Sequence, residues 1–145
     1  MNLVIAIDGP AAAGKGTLAR RLAEHYGLAY LDSGSLYRGT ALTLLRSGQS
    51  SPDEATAVAA AQSLRPELLG DPELRAEATG ALASKIAAMP AVRAALLTWQ
   101  RGFAAAPPGG KKGAVLDGRD IGTVVLPGAM VKFWIVASDE ARAER

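Results

Sequence analysis

Residues 3–7 form an unbroken apolar run, LVIAI, that ends on Asp8-Gly9-Pro10. A short apolar run bounded by turn residues predicts a buried strand of a parallel sheet. From Lys15 to Tyr26 the period changes. Leu18, Ala19, Leu22 and Ala23 recur at helical spacing and Gly27 supplies the stop. Residues 29–31 predict a short second strand, and 35–46 a second helix with Gly48 after it. Strand, Gly-rich loop, helix, strand is the opening of an α/β fold with crossover helices. The pattern then changes again. Residues 53–106 are Ala-rich and carry no strand signal. They predict three helices, near 53–63, 72–88 and 91–105, punctuated by Pro66, Gly70, Pro72 and Pro90. This reads as a helical insertion in the strand order, about residues 34–108, closed by the flexible loop Pro107-Pro108-Gly109-Gly110. Strand character returns at 114–116 and 131–136.

At 145 residues the chain is long enough for one domain with a real core, and its composition is that of an ordinary soluble protein. The absence of cysteine excludes a disulfide framework and a thiolate metal site. A formal charge of +2, without a lysine-rich run, predicts no nucleic-acid partner. The five-residue apolar run near the start is too short for a signal h-region or a membrane span, so the sequence predicts a cytoplasmic protein with no membrane partner. The last residues, SDEARAER, read as the first turns of a helix, capped by Ser138 with Asp139 and Glu140 at its positive end. No stop signal follows, which predicts a chain cut off within that helix.

The chemistry begins at GPAAAGKGT, residues 9–17. It nearly matches G-x-x-x-x-G-K-[ST], the loop whose backbone N–H groups cradle phosphates. Gly9 and Gly14 allow a tight turn and a close approach. The helix that follows aims its free N–H groups and its dipole at the same point, and Lys15 adds a positive charge for the outer phosphates. The hydroxyl comes one place late. Gly16 follows the lysine, so direct magnesium ligation by a Ser or Thr at that position is lost, and Thr17 is left to donate to an inner phosphate. Magnesium would then rest on the nucleotide's phosphates and on water.

Two further stretches stand at predicted strand ends. LDSGSLYRG, residues 31–39, turns at Asp32-Ser33-Gly34, with Ser33 or Ser35 as a cap and Tyr37 and Arg38 on the first helical turn. An arginine there suits a bidentate grip on an anionic substrate. VLDGRDIGT, residues 115–123, delivers Asp117 at the C-terminal end of a strand, where α/β sheets bind ligands. Asp117 suits a contact to magnesium through water, Gly118 a close backbone approach, and Arg119 and Asp120 present opposite charges side by side. Three residues read as structure: His25 in a last helical turn, Trp99 in helix packing and Trp134 in the core.

GKGT at this place resembles the nucleoside monophosphate kinases. The order GPxxxGKGT, LDSGxxYR, helical insert, DGRDxGT resembles, more specifically, the bacterial cytidylate kinase family, and ASKIAAMPAVRAALLTWQR at 83–101 is similar to that family's nucleotide-binding insert. The resemblance covers essentially the whole chain. It implies a P-loop NTPase fold, a three-layer α/β/α domain over 1–145 with a parallel sheet, acting as a monomer. It implies phosphoryl transfer from ATP to CMP or dCMP with Mg²⁺. ATP would lie on Gly9, Pro10, Ala11, Ala12, Ala13, Gly14, Lys15, Gly16 and Thr17. The acceptor would lie on Ser33, Tyr37, Arg38, Ser84, Arg93, Gly118, Arg119 and Asp120. Of these, Arg38 and Arg119 would hold its phosphate, and Ser84, Arg93 and Asp120 would read its base. Lys15, Arg38 and Arg119 would serve catalysis. A carboxylate suits the N4 amino group of cytosine and an arginine its acceptors, whereas uracil would set a carbonyl against Asp120, a buried mismatch of about 1–3 kcal/mol. Family members continue past residue 145 with an arginine-rich lid and a last strand, and Arg142 and Arg145 stand where a lid helix would begin. Two alternatives remain at this stage. One is another small-molecule P-loop kinase, which the DGRD segment and the long insert oppose. The other is a truncated module that binds nucleotides without transferring phosphate.

Overall fold

The computed structural model describes residues 3–10 and 14–136. Ala11, Ala12 and Ala13 of the loop and the cap, acidic and arginine residues expected after position 136 (Ser138, Asp139, Glu140, Arg142 and Arg145) lie outside the described residues. The elements follow the hydrophobic pattern closely: β1 (Leu3–Asp8), α1 (Lys15–Tyr26), β2 (Ala29–Asp32), α2 (Ser35–Arg46), α3 (Glu54–Gln62), α4 (Glu77–Ala87), α5 (Pro90–Ala105), β3 (Gly113–Gly118) and β4 (Val131–Trp134). Contacts divide the chain into two compact units, one formed by the residues up to Ser33 and from Gln100 onward, the other by Gly34–Trp99.

The first unit is an α/β layer structure. Its four strands run in the order β2-β3-β1-β4, all parallel. Central β1 and β3 pair from Leu3↔Gly113 to Asp8↔Gly118, and β2 joins β3 with Asp32 opposite Asp117. Ile5, Ile7 and Val115 on the sheet meet Ala19 and Ala23 on α1, with Leu18 and Leu22 packed at the margin. The small alanines let α1 lie close on the sheet. Gly27 ends α1 in a left-handed conformation, φ 66°, as a residue without Cβ adopts freely.

Trp134 departs from expectation. It is 63% exposed, and its neighbour Phe133 is 40% exposed. Among the described residues β4 is an edge strand, paired with β1 alone. Successive strand residues point to opposite faces, so exposure of both means that neither face is covered there among the described residues. An apolar run identifies a strand without saying whether the strand is central.

The second unit is helical. Leu36, Leu42, Leu44, Ala57, Ala61, Leu82, Ile86, Val92 and Leu96 are buried. Half-buried Trp99 packs here as expected and also donates from Nε1 to the Leu64 carbonyl at 3.0 Å. The helix expected over 72–88 is shorter. Two 3₁₀ turns, Pro66–Gly70 and Pro72–Arg75, precede α4. Asp71 caps the second turn through the Glu73 N–H, and Ala76 is extended at ψ 149°, which separates that turn from α4. α2 also starts differently: its N-cap is Gly34, so neither Ser33 nor Ser35 occupies the cap position. Among the described residues no single helix is long and apolar enough to cross a membrane.

Candidate functional site

The C-terminal ends of the parallel strands gather the first unit's polar residues, as open α/β sheets do. β1 hands over to the loop at Gly9, whose N–H donates to the Gly118 carbonyl at 3.2 Å. A Cβ on Gly9 would run into the Ile135 carbonyl oxygen, so the loop can begin there only with glycine. Gly14 precedes α1 in a left-handed conformation, φ 79°, and no side chain caps that helix. The N-cap residue itself therefore leaves the first N–H groups of α1 without a side-chain acceptor, an arrangement that suits an anion, and half-buried Lys15 opens the helix beside them. Thr17 is exposed.

Asp117 is 1% exposed on β3. The Tyr30 phenol donates to its Oδ2 at 2.6 Å, and Asp32 stands opposite in register. Burial pushes the Asp117 carboxyl up to about 6. The Asp32 charge pushes the same way, and the Tyr30 hydrogen bond and Lys15 oppose the rise. Burial, and then the bond to Asp117, raise the Tyr30 phenol in turn. A Cβ on Gly16 would lie 3.8 Å from the Tyr30 hydroxyl and 3.9 Å from Asp117 Oδ2. A side chain at position 16 would thus face this pair. Sequence reasoning missed Tyr30. The signal was its place two residues before Asp32, on the same strand face, which only the β2–β3 register connects to Asp117.

The same ends test the fit of a magnesium ion. Among the described residues no three His, Asp or Glu side chains converge on one point. Two carboxylates, Asp117 and Asp32, near a phosphate loop match an ion that keeps its waters and rests on phosphate oxygens. Such an ion fits here through water.

Asp8, also missed, is 5% exposed and accepts from two backbone donors of the segment after Asp120. Ile121 N–H reaches its Oδ1 at 2.7 Å and Gly122 N–H its Oδ2 at 2.8 Å. It thus ties the end of β1 to the DGRD loop. That loop makes a short π-helical turn over Ile121–Val125, with Val125 N–H donating to the Asp120 carbonyl at 3.1 Å and Leu126 N–H to the Ile121 carbonyl at 2.7 Å. The Arg119 and Asp120 side chains are exposed. Gly118 is buried, and a Cβ on it would strike the Ser33 hydroxyl. Ser33 N–H also donates to the Asp117 carbonyl at 3.0 Å. Of the residues assigned to the acceptor, the fold therefore brings Ser33 and Gly118 into contact in this unit.

In the second unit the assigned residues line up along α4. Arg38 and Tyr37, both half-buried, sit on the first turn of α2, and Arg38 Nη1 donates to the Leu74 carbonyl at 3.1 Å. The Arg38 guanidinium lies against Gly80. Exposed Ser84 is one turn further along α4, and exposed Arg93, from α5, donates to the Ala87 carbonyl at the end of α4 at 2.9 Å. Positions 80, 84 and 87 share one helix face, so one arginine marks each end of a short polar track.

The family model for cytidylate kinase matches residues 5–145. The chain is 65% identical over 143 residues to the cytidylate kinase of Methylobacterium sp. (strain 4-46), covering 99% of this chain and 66% of that relative. It is 59% identical to that of Paramagnetospirillum magneticum, covering 100% of this chain and 68% of the relative, and 56% identical to that of Afipia carboxidovorans. The chain thus spans about two thirds of the length of these curated relatives. A parallel sheet that ends in a phosphate loop and a family match across nearly every residue agree: the chain belongs to the cytidylate kinase family.

Proposed function

We propose that this chain binds ATP on residues 9–17 and CMP or dCMP on the Arg38, Ser84, Arg93, Arg119 and Asp120 set, and transfers the γ-phosphoryl group between them. An oxygen of the acceptor phosphate forms a bond to Pγ while the bond from Pγ to the β,γ-bridging oxygen breaks. The electron pair leaves with ADP, and CDP or dCDP forms. The acceptor oxygen is already anionic, so no general base is required. Catalysis rests on in-line positioning and on neutralised charge. Lys15 faces the outer phosphates from the helix start, and Arg38 and Arg119 hold the acceptor phosphate. Asp120 accepts from N4 of the base, and Ser84 and Arg93 complete its recognition. Asp117 and Asp32 would hold magnesium through water, and the ion would supply further charge neutralisation at the phosphates. The unit Gly34–Trp99 would act as the acceptor-binding insert and close on the substrate. A reaction between free nucleotides suits a monomer in the cytoplasm.

The observation that carries this reading is the track along α4, with Arg38 at one end, Ser84 between and Arg93 at the other. A nucleoside monophosphate has that polarity, phosphate at one end and hydrogen-bonding base at the other. Calorimetric titration of CMP, UMP and AMP tests it. CMP should bind best and lose that preference in Asp120→Ala. Equal affinity for all three nucleotides sinks the base-reading roles. One other reading is nucleotide binding without transfer. ADP release from ATP and CMP separates the two.

A further inference from the structure

Gly80 lies inside α4 with ordinary helical geometry, its N–H bonded to the Ala76 carbonyl at 3.1 Å. No positive φ requires glycine there. In a helix interior glycine is less stable than alanine, so its presence calls for a reason outside the backbone. The space above it gives one. A Cβ at position 80 would lie 3.1 Å from both Nη1 and Nη2 of Arg38 and 3.3 Å from Cζ. It would press equally on the two terminal nitrogens, the fork that grips a phosphate. The fork is held from another side by the Leu74 carbonyl. That carbonyl belongs to a turn fastened at both ends. The Asp71 carboxylate accepts from Glu73 N–H at 2.9 Å, and buried Thr79, adjoining Gly80, donates its hydroxyl to the Glu73 carbonyl at 2.9 Å. One carbonyl and one missing side chain therefore define where the guanidinium rests.

We infer that Gly80 is a positioning residue for Arg38, providing the clearance in which the acceptor-phosphate guanidinium sits. The inference rests on the proposed role of Arg38. Ser84, a turn further along the same face, then meets the nucleoside about 6 Å along the axis from the phosphate site. A methyl group at position 80 displaces only the end of a flexible side chain, so it should disturb binding while sparing the fold.

The test is Gly80→Ala in the full chain, with Arg38→Ala and the double variant, read by thermal melting and by calorimetry with CMP, cytidine and ATP. Gly80→Ala should melt about 2–4 °C higher and bind CMP roughly tenfold more weakly. Its affinities for cytidine and ATP should not change. Arg38→Ala should lose CMP affinity, and adding Gly80→Ala to it should weaken CMP no further, the non-additivity of two residues acting through one contact. Unchanged CMP affinity in Gly80→Ala, equal losses in both backgrounds, or loss of the folded state would each overturn the inference. Failure of the underlying reading looks different: the parent chain, or Arg38→Ala against it, then shows no phosphate-dependent binding of CMP at all.

Discussion

The sheet unit and the helical unit hold their polar residues in opposite ways. In the sheet unit the deciding groups are buried at strand ends and fixed by register. Asp117 meets Tyr30 and Asp32 because β2 and β3 pair in one way, and Asp8 meets Ile121 and Gly122 because β1 ends beside the DGRD segment. A one-residue slip would turn each side chain to the wrong face. In the helical unit the groups are long, half-buried or exposed, and positioned by borrowed backbone carbonyls: Leu74 for Arg38 and Ala87 for Arg93. The first arrangement suits a site that must hold charge in one place. The second suits a surface that meets a substrate. Damage to the first should therefore appear as lost stability or lost turnover, and damage to the second as lost affinity or selectivity.

The sharpest break in that contrast is Lys15→Ala. It removes the charge at the loop and should lower the rate of phosphoryl transfer by roughly a hundredfold or more, with the fold retained. Single-turnover kinetics and a thermal melt together check it, and an unchanged rate would remove the loop from the reaction. Asp8→Ala comes next. It strands two buried N–H donors and should cost about 2–4 kcal/mol in a urea titration. Asp8→Asn keeps one acceptor and should cost less. A neutral Asp8→Ala would mean that the clamp is incidental.

Asp120→Ala tests an exposed group of the sheet unit itself, one assigned to affinity rather than to stability. It should narrow the preference for CMP over UMP by about 1–3 kcal/mol, roughly five- to 150-fold, without moving the melting temperature. The smallest effect sharpens the sheet side. Tyr30→Phe removes the donor to Asp117, should cost about 1 kcal/mol, and should raise the Asp117 carboxyl further above about 6. That carboxyl sits above its unfolded value of 3.8, so the folded state holds the proton more tightly. Its contribution to stability is complete below pH ~4 and is lost as pH rises through about 6. Asp117→Asn should abolish that slope between pH 4 and 7, as read from denaturant midpoints. A slope that persists in Asp117→Asn belongs to another group.

Much of the fold was legible because its signals are local. The apolar run before Gly9, the helical period after Lys15 and the stop at Gly27 each lie within a few residues. The helix expected over 72–88 was misjudged at its start because Asp71 and Pro72 form a separate capped turn, and a cap competes with a helix over very few residues. Trp134 was misplaced for a different reason. Hydrophobicity shows that a residue favours burial, and strand order decides whether burial is available. β4 fell at an edge.

The site divides along the same line. The sequence by itself determined the chemical inventory: a phosphate loop with its hydroxyl displaced, a basic helix start at Arg38, and a strand that delivers Asp117-Gly118-Arg119-Asp120. It determined these because each motif is contiguous and its chemistry follows from residue type and spacing. Only the tertiary structure decided that Tyr30 donates to Asp117, that Asp8 holds the segment after Asp120, and that Gly80 leaves room for Arg38. Each of those is a contact between residues far apart in the chain. Its geometry depends on strand register or helix packing, which local propensity does not encode.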